Sequence, residues 1–261
     1  MRRGRAPHAP TAPPALRSAW HRRIAATIAA SLLPLPRMTI PAPARLPYRK
    51  PRAGRDYWVV DEALPNPDAV RARSLARADW IHGFPANPEV TWPGQRCAPA
   101  LQPDELAALE QRVLQLTGSR RVWMTDAALG DAHICHNHIQ VVGATDSTVR
   151  PHTDSRRLCR YAAVIYLTPG APANAGTGFF RQRLPGGGLG GNICPPPHAN
   201  LVEALGVRRL PLDAWQLDLA IDNVYNRLVL YRADLVHSAL RYFGRDLDGK
   251  RMTALFFWMA E

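Results

Sequence analysis

The chain has 261 residues, 46% of them hydrophobic, with 33 Lys and Arg against 21 Asp and Glu and a formal net charge of +12. That is enough apolar material for one sizeable core, and four scattered cysteines with no C-x-x-C pair exclude a zinc knuckle and a disulfide scaffold. The charge excess is local: 12 basic residues precede the first acidic one, Asp56, and the remainder carries 21 of each sign, so the bulk of the chain lacks the basic surface that nucleic acid requires.

Residues 1–55 combine that charge with many prolines, among them Pro10, Pro13, Pro14, Pro34, Pro36, Pro41, Pro43, Pro47 and Pro51, which block long helices and sheet ladders. We expect a basic, Pro-rich disordered segment there, followed by one folded domain over residues 56–261. The apolar run Ile24 to Leu33 falls well short of the ~20 residues that cross a bilayer. The sequence Leu33-Pro34-Leu35-Pro36-Arg37 after it offers no small-residue cleavage site. A translation start at Met38 accounts for this stretch better than a transit peptide. A cytoplasmic location with buried free thiols follows, and no membrane span is expected.

Tyr57-Trp58-Val59-Val60 has the texture of a short strand. Asn66-Pro67-Asp68 is a helix start, with a capping side chain before a Pro in the first turn, and predicts a helix from Ala69 to Trp80. Gln102-Pro103-Asp104-Glu105 opens a second helix whose Leu106, Leu109, Val113 and Leu116 share a face. Helical support therefore occupies residues 61–120. From Ala132 the texture changes to short β-branched and aromatic runs broken by Gly, Pro and Asp. These are His136 to Val142, Tyr161 to Leu167, Thr177 to Phe180, Arg227 to Tyr231, Val236 to Tyr242 and Met252 to Trp258. They predict an antiparallel β core over residues 132–261. Residues 183–226 interrupt it as an insertion, Gly- and Pro-rich at first and helical around Leu212 to Val224, of the kind that shapes a barrel mouth. Gly186 to Gly191 lacks the Lys-Ser or Lys-Thr and the following helix of a phosphate loop and reads as a flexible lid or linker.

His152, Asp154 and His237 are the strongest candidates for chemistry. On a strand His152 and Asp154 point the same way while Thr153 points away. A lone His237 on a neighbouring strand would complete two imidazoles and one carboxylate on one side of a metal, the facial set of non-heme Fe(II) oxygenases. A second cluster, His133, Cys135, His136 and His138, is dense enough for a metal of its own. Strand alternation puts His136 and His138 on one face and Cys135 on the other, so the four cannot converge without a turn, and the cluster is expected to line the cavity or lie on the surface.

The order of the pieces resembles the double-stranded β-helix (jelly roll, cupin-like) of the 2-oxoglutarate and Fe(II) dependent dioxygenases, in its prolyl-hydroxylase-like branch. The likeness rests on Pro151-His152-Thr153-Asp154-Ser155, Tyr166-Leu167-Thr168, Ala175-Gly176-Thr177-Gly178-Phe179-Phe180, Leu235-Val236-His237-Ser238-Ala239, and Arg251-Met252-Thr253-Ala254-Leu255, in that order, over the C-terminal half. It implies a mainly β fold with supporting α-helices. It implies Fe(II) on His152, Asp154 and His237, 2-oxoglutarate and molecular oxygen as cosubstrates, and ascorbate as accessory reductant. The distal carboxylate of 2-oxoglutarate would meet Arg251, with Tyr166 donating its hydroxyl and Arg241 as the reserve anchor. The implied reaction is hydroxylation of an unidentified small-molecule or peptidyl substrate with release of succinate and carbon dioxide, since an intact Asp154 leaves no room for a halide. Thr168 stands where the branch has Asn, and Gln140 where it has Tyr; both departures bear on the substrate more than on the metal.

Two other function classes compete. One is a cupin-like isomerase or hydrolase that uses the same metal without 2-oxoglutarate; the discriminating residue is Arg251, which such an enzyme has no reason to place there. The other is a non-catalytic barrel whose basic tail grips an anionic surface, although no nucleic-acid motif is present.

Overall fold

Strand β11 (Arg251–Ala260) is buried along almost its whole length, so its sequence does not alternate as a half-exposed strand would, and it needs a packed layer on each face. The computed structural model, which describes residues 44–82, 93–125 and 136–261, supplies both layers. Beneath β11 lie helices α1 (Pro67–Leu75) and α2 (Pro103–Thr117). Val70, Leu109 and Val113 of these helices pack with Met252, Ala254, Phe256 and Trp258 in an outer core. On the opposite face Leu255 joins an inner core with Tyr166, Phe179, Val229, Tyr231 and Leu235.

The larger sheet contains β1 (Tyr57–Val60), β2 (Ile81–His82), β3 (Gln95–Cys97), β5 (His138–Val142), β6 (Tyr161–Tyr166), β9 (Leu228–Arg232) and β11, in the order β1-β9-β6-β11-β5-β3-β2. Strand β4 (Val122–Trp123) pairs with the far end of β11. The smaller sheet runs β10 (His237–Ala239), β7 (Thr177–Gln182), β8 (Trp215–Ile221), and an isolated antiparallel bridge from His152 to His237 extends it past β10. All the ladders are antiparallel. Following the chain, β5 lies in the larger sheet, the His152 stretch in the smaller, β6 in the larger, β7 and β8 in the smaller, β9 in the larger, β10 in the smaller and β11 in the larger. That interleaving is the double-stranded β-helix, so the fold is mainly β with supporting helices, as the sequence predicts.

Several elements differ from expectation. The insertion is not helical over Leu212 to Val224. Pro211-Leu212-Asp213 starts only a single 3₁₀ turn (Leu212–Ala214), after which Trp215–Ile221 extends along β7 as edge strand β8. The insertion's one α-helix is α3 (Leu201–Leu205), capped by the Asn200 side chain, which accepts from the Glu203 amide. Helix α1 ends at Leu75 instead of Trp80, and the Trp80 indole turns back to donate to the Arg77 carbonyl at 3.1 Å. The Gly-rich run is a tight turn, with the Leu184 amide donating to the Gly188 carbonyl at 2.8 Å. Of the segment expected to be disordered, residues 44–55 are described; most are exposed, but Leu46 is buried, and the Pro47 carbonyl accepts from the Asn192 and Ile193 amides. Residues 1–43 lie outside the described residues, as do His133 and Cys135 of the second cluster. Among the described residues, Cys97, Cys159 and Cys194 are buried free thiols. No helix of the described residues is long and apolar enough to cross a membrane.

Candidate functional site

His152, Asp154 and His237 come together: one ligand atom from each lies within 4.8 Å of the others. The backbone does the gathering. His152 and His237 exchange N–H to carbonyl hydrogen bonds of 3.0 and 2.8 Å, which sets their rings side by side at 4.5 Å, and the Asp154 amide donates to the Ala233 carbonyl at 3.1 Å. The segment 233–237 thus aligns all three side chains, two from the His152 stretch and one from its own end.

Each imidazole is also oriented. Nδ1 of His152 faces the Arg150 carbonyl at 2.8 Å and Nδ1 of His237 faces the Leu235 carbonyl at 2.9 Å. A carbonyl only accepts, so each Nδ1 carries the proton and each Nε2 keeps its lone pair for the centre. Burial, and secondarily the neighbouring His152, push His237 well below the usual imidazole range, so it is held neutral. Burial lifts the Asp154 carboxyl to about 6, against the pull of His152. Asp154 Oδ2 has no hydrogen-bond partner among the described residues and lies 3.5 Å from His237 Nε2. Two imidazole lone pairs and an unsatisfied carboxylate oxygen are a set that a divalent cation would complete.

Arg251 opens β11 and is 4% exposed. Its Nε donates to the Ala175 carbonyl at 3.0 Å, and its guanidinium carbon lies 5.4 Å from the centre of the Tyr166 ring. Among the described residues no carboxylate pairs with it. A buried guanidinium is costly without a charged partner, so this position is chemically suited to receive an anion. The Tyr166 hydroxyl shares a 2.7 Å hydrogen bond with Thr177 Oγ1, and burial raises its pKa while Arg251 opposes the rise.

Thr168, which stands where the resembled branch has Asn, braces the backbone of this wall around Arg251. Its hydroxyl donates to the Lys250 carbonyl and accepts from the Met252 amide, both at 2.8 Å, clamping the backbone on either side of Arg251. Gln140, the other departure, donates to the Pro93 carbonyl at 3.0 Å. Arg241, the reserve anchor, is exposed, and its contact is with Asn174 at 3.5 Å.

Sequence reasoning missed three neighbours of this wall. Thr253 is fully buried with its Oγ1 unpartnered, and it stands directly opposite Tyr166 on β6 and Gln140 on β5. Thr177 holds the Tyr166 hydroxyl. Tyr231 lays its ring 4.5 Å from that of His237. Alternation along β11 from Arg251 would have found Thr253, two residues on. His136 and His138 do not share a face. Asn137, at φ 52°, breaks the alternation, leaving His136 against Phe256 and Trp258 while His138 contacts the Arg96 guanidinium at 2.8 Å.

The profile of a protein family described as "Family of unknown function (DUF6445)" matches residues 44–188, more than half of the chain. No curated protein matches the sequence. Among solved structures the chain is similar to the non-heme alpha ketoglutarate dependent carbocyclase SnoK from nogalamycin biosynthesis, at 14% identity over 78% of this chain and 79% of that one, TM-score 0.46. It is similar to a Pseudomonas putida prolyl-4-hydroxylase at 18% identity over 77% of this chain and 92% of that one, TM-score 0.41. A third is HygX from Streptomyces hygroscopicus with nickel, 2-oxoglutarate and hygromycin B bound, at 14% identity over 78% and 82%, TM-score 0.41.

Proposed function

The chain belongs to the Family of unknown function (DUF6445), and we propose that it is an Fe(II) and 2-oxoglutarate dependent oxygenase that hydroxylates a small-molecule or peptidyl substrate. His152, Asp154 and His237 would hold the iron on one side and leave the other open. When bound, Fe(II) with 2-oxoglutarate and oxygen supplies the oxidising chemistry, releasing succinate and carbon dioxide. The rest falls to the chain's own residues. Arg251 takes the distal carboxylate of 2-oxoglutarate, where a guanidinium fork matches two oxygens. Tyr166 and Thr253 add hydroxyls at the same wall, and Thr168 keeps Arg251 from shifting along the strand. The packed inner core around Tyr166, Phe179 and Tyr231 excludes water from that end.

The observation that carries this reading is the buried guanidinium of Arg251, with no acidic partner among the described residues, in the same domain as an unsatisfied two-imidazole, one-carboxylate cluster. A metal-dependent isomerase or hydrolase has no use for that cation. Anaerobic titration with Fe(II) and 2-oxoglutarate is the test. A visible charge-transfer band should form in the wild type and vanish in His152→Ala. Tight Fe(II) binding with no band would assign the protein to isomerase or hydrolase chemistry, and binding of neither would leave a scaffold.

A further inference from the structure

The segment 233–237 orients all three candidate ligands, and what holds it from behind is the arm that precedes β1. Asn192 is fully buried and clamps this arm on both sides: its Oδ1 accepts from the Arg49 amide at 2.9 Å and its Nδ2 donates to the Arg49 carbonyl at 2.8 Å. The Asn192 carbonyl then accepts from the Val236 amide at 2.9 Å, one residue before His237. The Cys194 amide donates to the Asp234 carbonyl, also at 2.9 Å. A second link is ionic. The Arg49 guanidinium spans two buried carboxylates, Asp56 at 2.8 Å and Asp234 at 3.3 Å. Asp234 also meets Arg232, at 3.3 Å from the same oxygen, and Arg156, at 3.6 Å from the other. Further along the arm, Gln182 is fully buried and bonds the Leu46 amide at 3.0 Å and the Ala44 carbonyl at 3.1 Å. The fit leaves no slack: a Cβ on Gly191 would stand 1.8 Å from the Pro47 carbonyl oxygen.

We propose that residues 44–56 are a strap that positions the metal ligands, with Arg49 and Asn192 as its positioning residues. The inference rests on the metal reading of His152, Asp154 and His237. The chain of contacts runs from Arg49 through Asn192 and Asp234 to the Ala233 and Leu235 carbonyls, which fix Asp154 and His237. Groups bonded directly to a ligand typically change metal affinity by roughly 10–100-fold when removed, and Arg49, one step further back, belongs at the lower end of that range. Among the described residues no hydrogen bond or ion pair joins the arm to a ligand side chain.

Cobalt(II) titration of the full chain, followed by visible absorption and by thermal melting without metal, tests the strap. In Arg49→Met, which keeps the aliphatic stem and loses the charge, the cobalt dissociation constant should rise about tenfold and the absorption envelope should change, with partial rescue by Arg49→Lys. Leu109→Ala, a cavity in the outer core far from these contacts, is the control for loosening alone: it should lower the melting temperature at least as much yet keep cobalt affinity within about twofold. Unchanged affinity and spectrum in Arg49→Met would overturn the strap, as would an equal loss in Leu109→Ala. If the wild type bound no cobalt while melting cooperatively, the metal reading itself would fall, and the strap with it.

Discussion

The two halves of the candidate site are built on different kinds of backbone. Arg251, Tyr166 and Thr253 stand on long central strands, with β11 paired to β5 over Arg251–Leu255 and to β6 over Thr253–Trp258, and packed on both faces. His152, Asp154 and His237 stand on an isolated bridge and a three-residue strand, and owe their placement to single carbonyls at Arg150, Ala233 and Leu235. One wall is fixed by the ladder whether or not a ligand is there; the other is a rim, fixed residue by residue. The contrast suits the division of work proposed for them. An anchor for an anion needs a rigid buried cation, and a metal centre needs ligands that can close by fractions of an ångström around an ion.

The sharpest way to break that contrast is to remove one member of each half. Asp154→Ala should abolish measurable Fe(II) or cobalt binding, a larger loss than the roughly 10–100-fold of an indirect partner, while leaving the melting temperature of the metal-free protein within a few degrees. Arg251→Met should do the reverse. Metal affinity should hold, but 2-oxoglutarate binding should weaken by at least ~30-fold, the cost of about 2 kcal/mol or more for removing one partner of a buried charge pair. The ligand-free protein should melt no lower and by the same logic higher, because a buried guanidinium without its anion costs stability and methionine does not. A lower melting temperature in Arg251→Met would mean that the guanidinium is a structural strut and the anchor reading is wrong.

The same contrast explains what could be read from the amino-acid order. Tyr166 and Arg251 were named from the order of motifs in the resemblance, and both fall on regular strands; period two along β11 would have added Thr253, which shares the face of Arg251. The three rim ligands were legible as residue types, His-x-Asp and a distant His. The devices that aim them were not, since backbone carbonyls and Asn192 leave no signature in composition or spacing. The insertion shows a different failure. Trp215, Leu217, Leu219 and Ile221 alternate as a strand should, yet Pro211-Leu212-Asp213 just before them reads as a helix start. Long-range pairing with β7 overruled that local signal after one turn. The arm was misread for a related reason: its prolines and charge are like those of the sequence before it, and the groups that hold residues 44–49, among them Gln182, Asn192 and Asp234, lie far along the sequence.

Gly176 offers a milder perturbation, placed where the smaller sheet meets the wall. A Cβ there would lie 1.8 Å from the Ile221 carbonyl oxygen and 2.8 Å from the Asn223 amide nitrogen, so the end of β8 must move. Gly176→Ala should therefore destabilise the fold by about 1–3 kcal/mol in urea unfolding, the usual cost of overpacking. Because Ala175 accepts from Arg251 and Thr177 holds Tyr166, 2-oxoglutarate affinity should fall before metal affinity does. Equal losses in both would indicate that wall and rim are one mechanical unit.

Arg241 supplies the smallest effect and the cleanest check on which cation serves as anchor. It lies only four residues after His237, so by sequence distance it competes with Arg251. Its side chain is exposed, and its hydrogen bond to Asn174 is long at 3.5 Å. A solvated guanidinium offers a carboxylate little beyond what water already provides, whereas a buried one meets it without competition. Arg241→Ala should change 2-oxoglutarate affinity by less than about twofold, a free-energy effect within the usual range for an exposed ionic contact. A tenfold loss would move the anchor from the wall to the rim and erase the division between them.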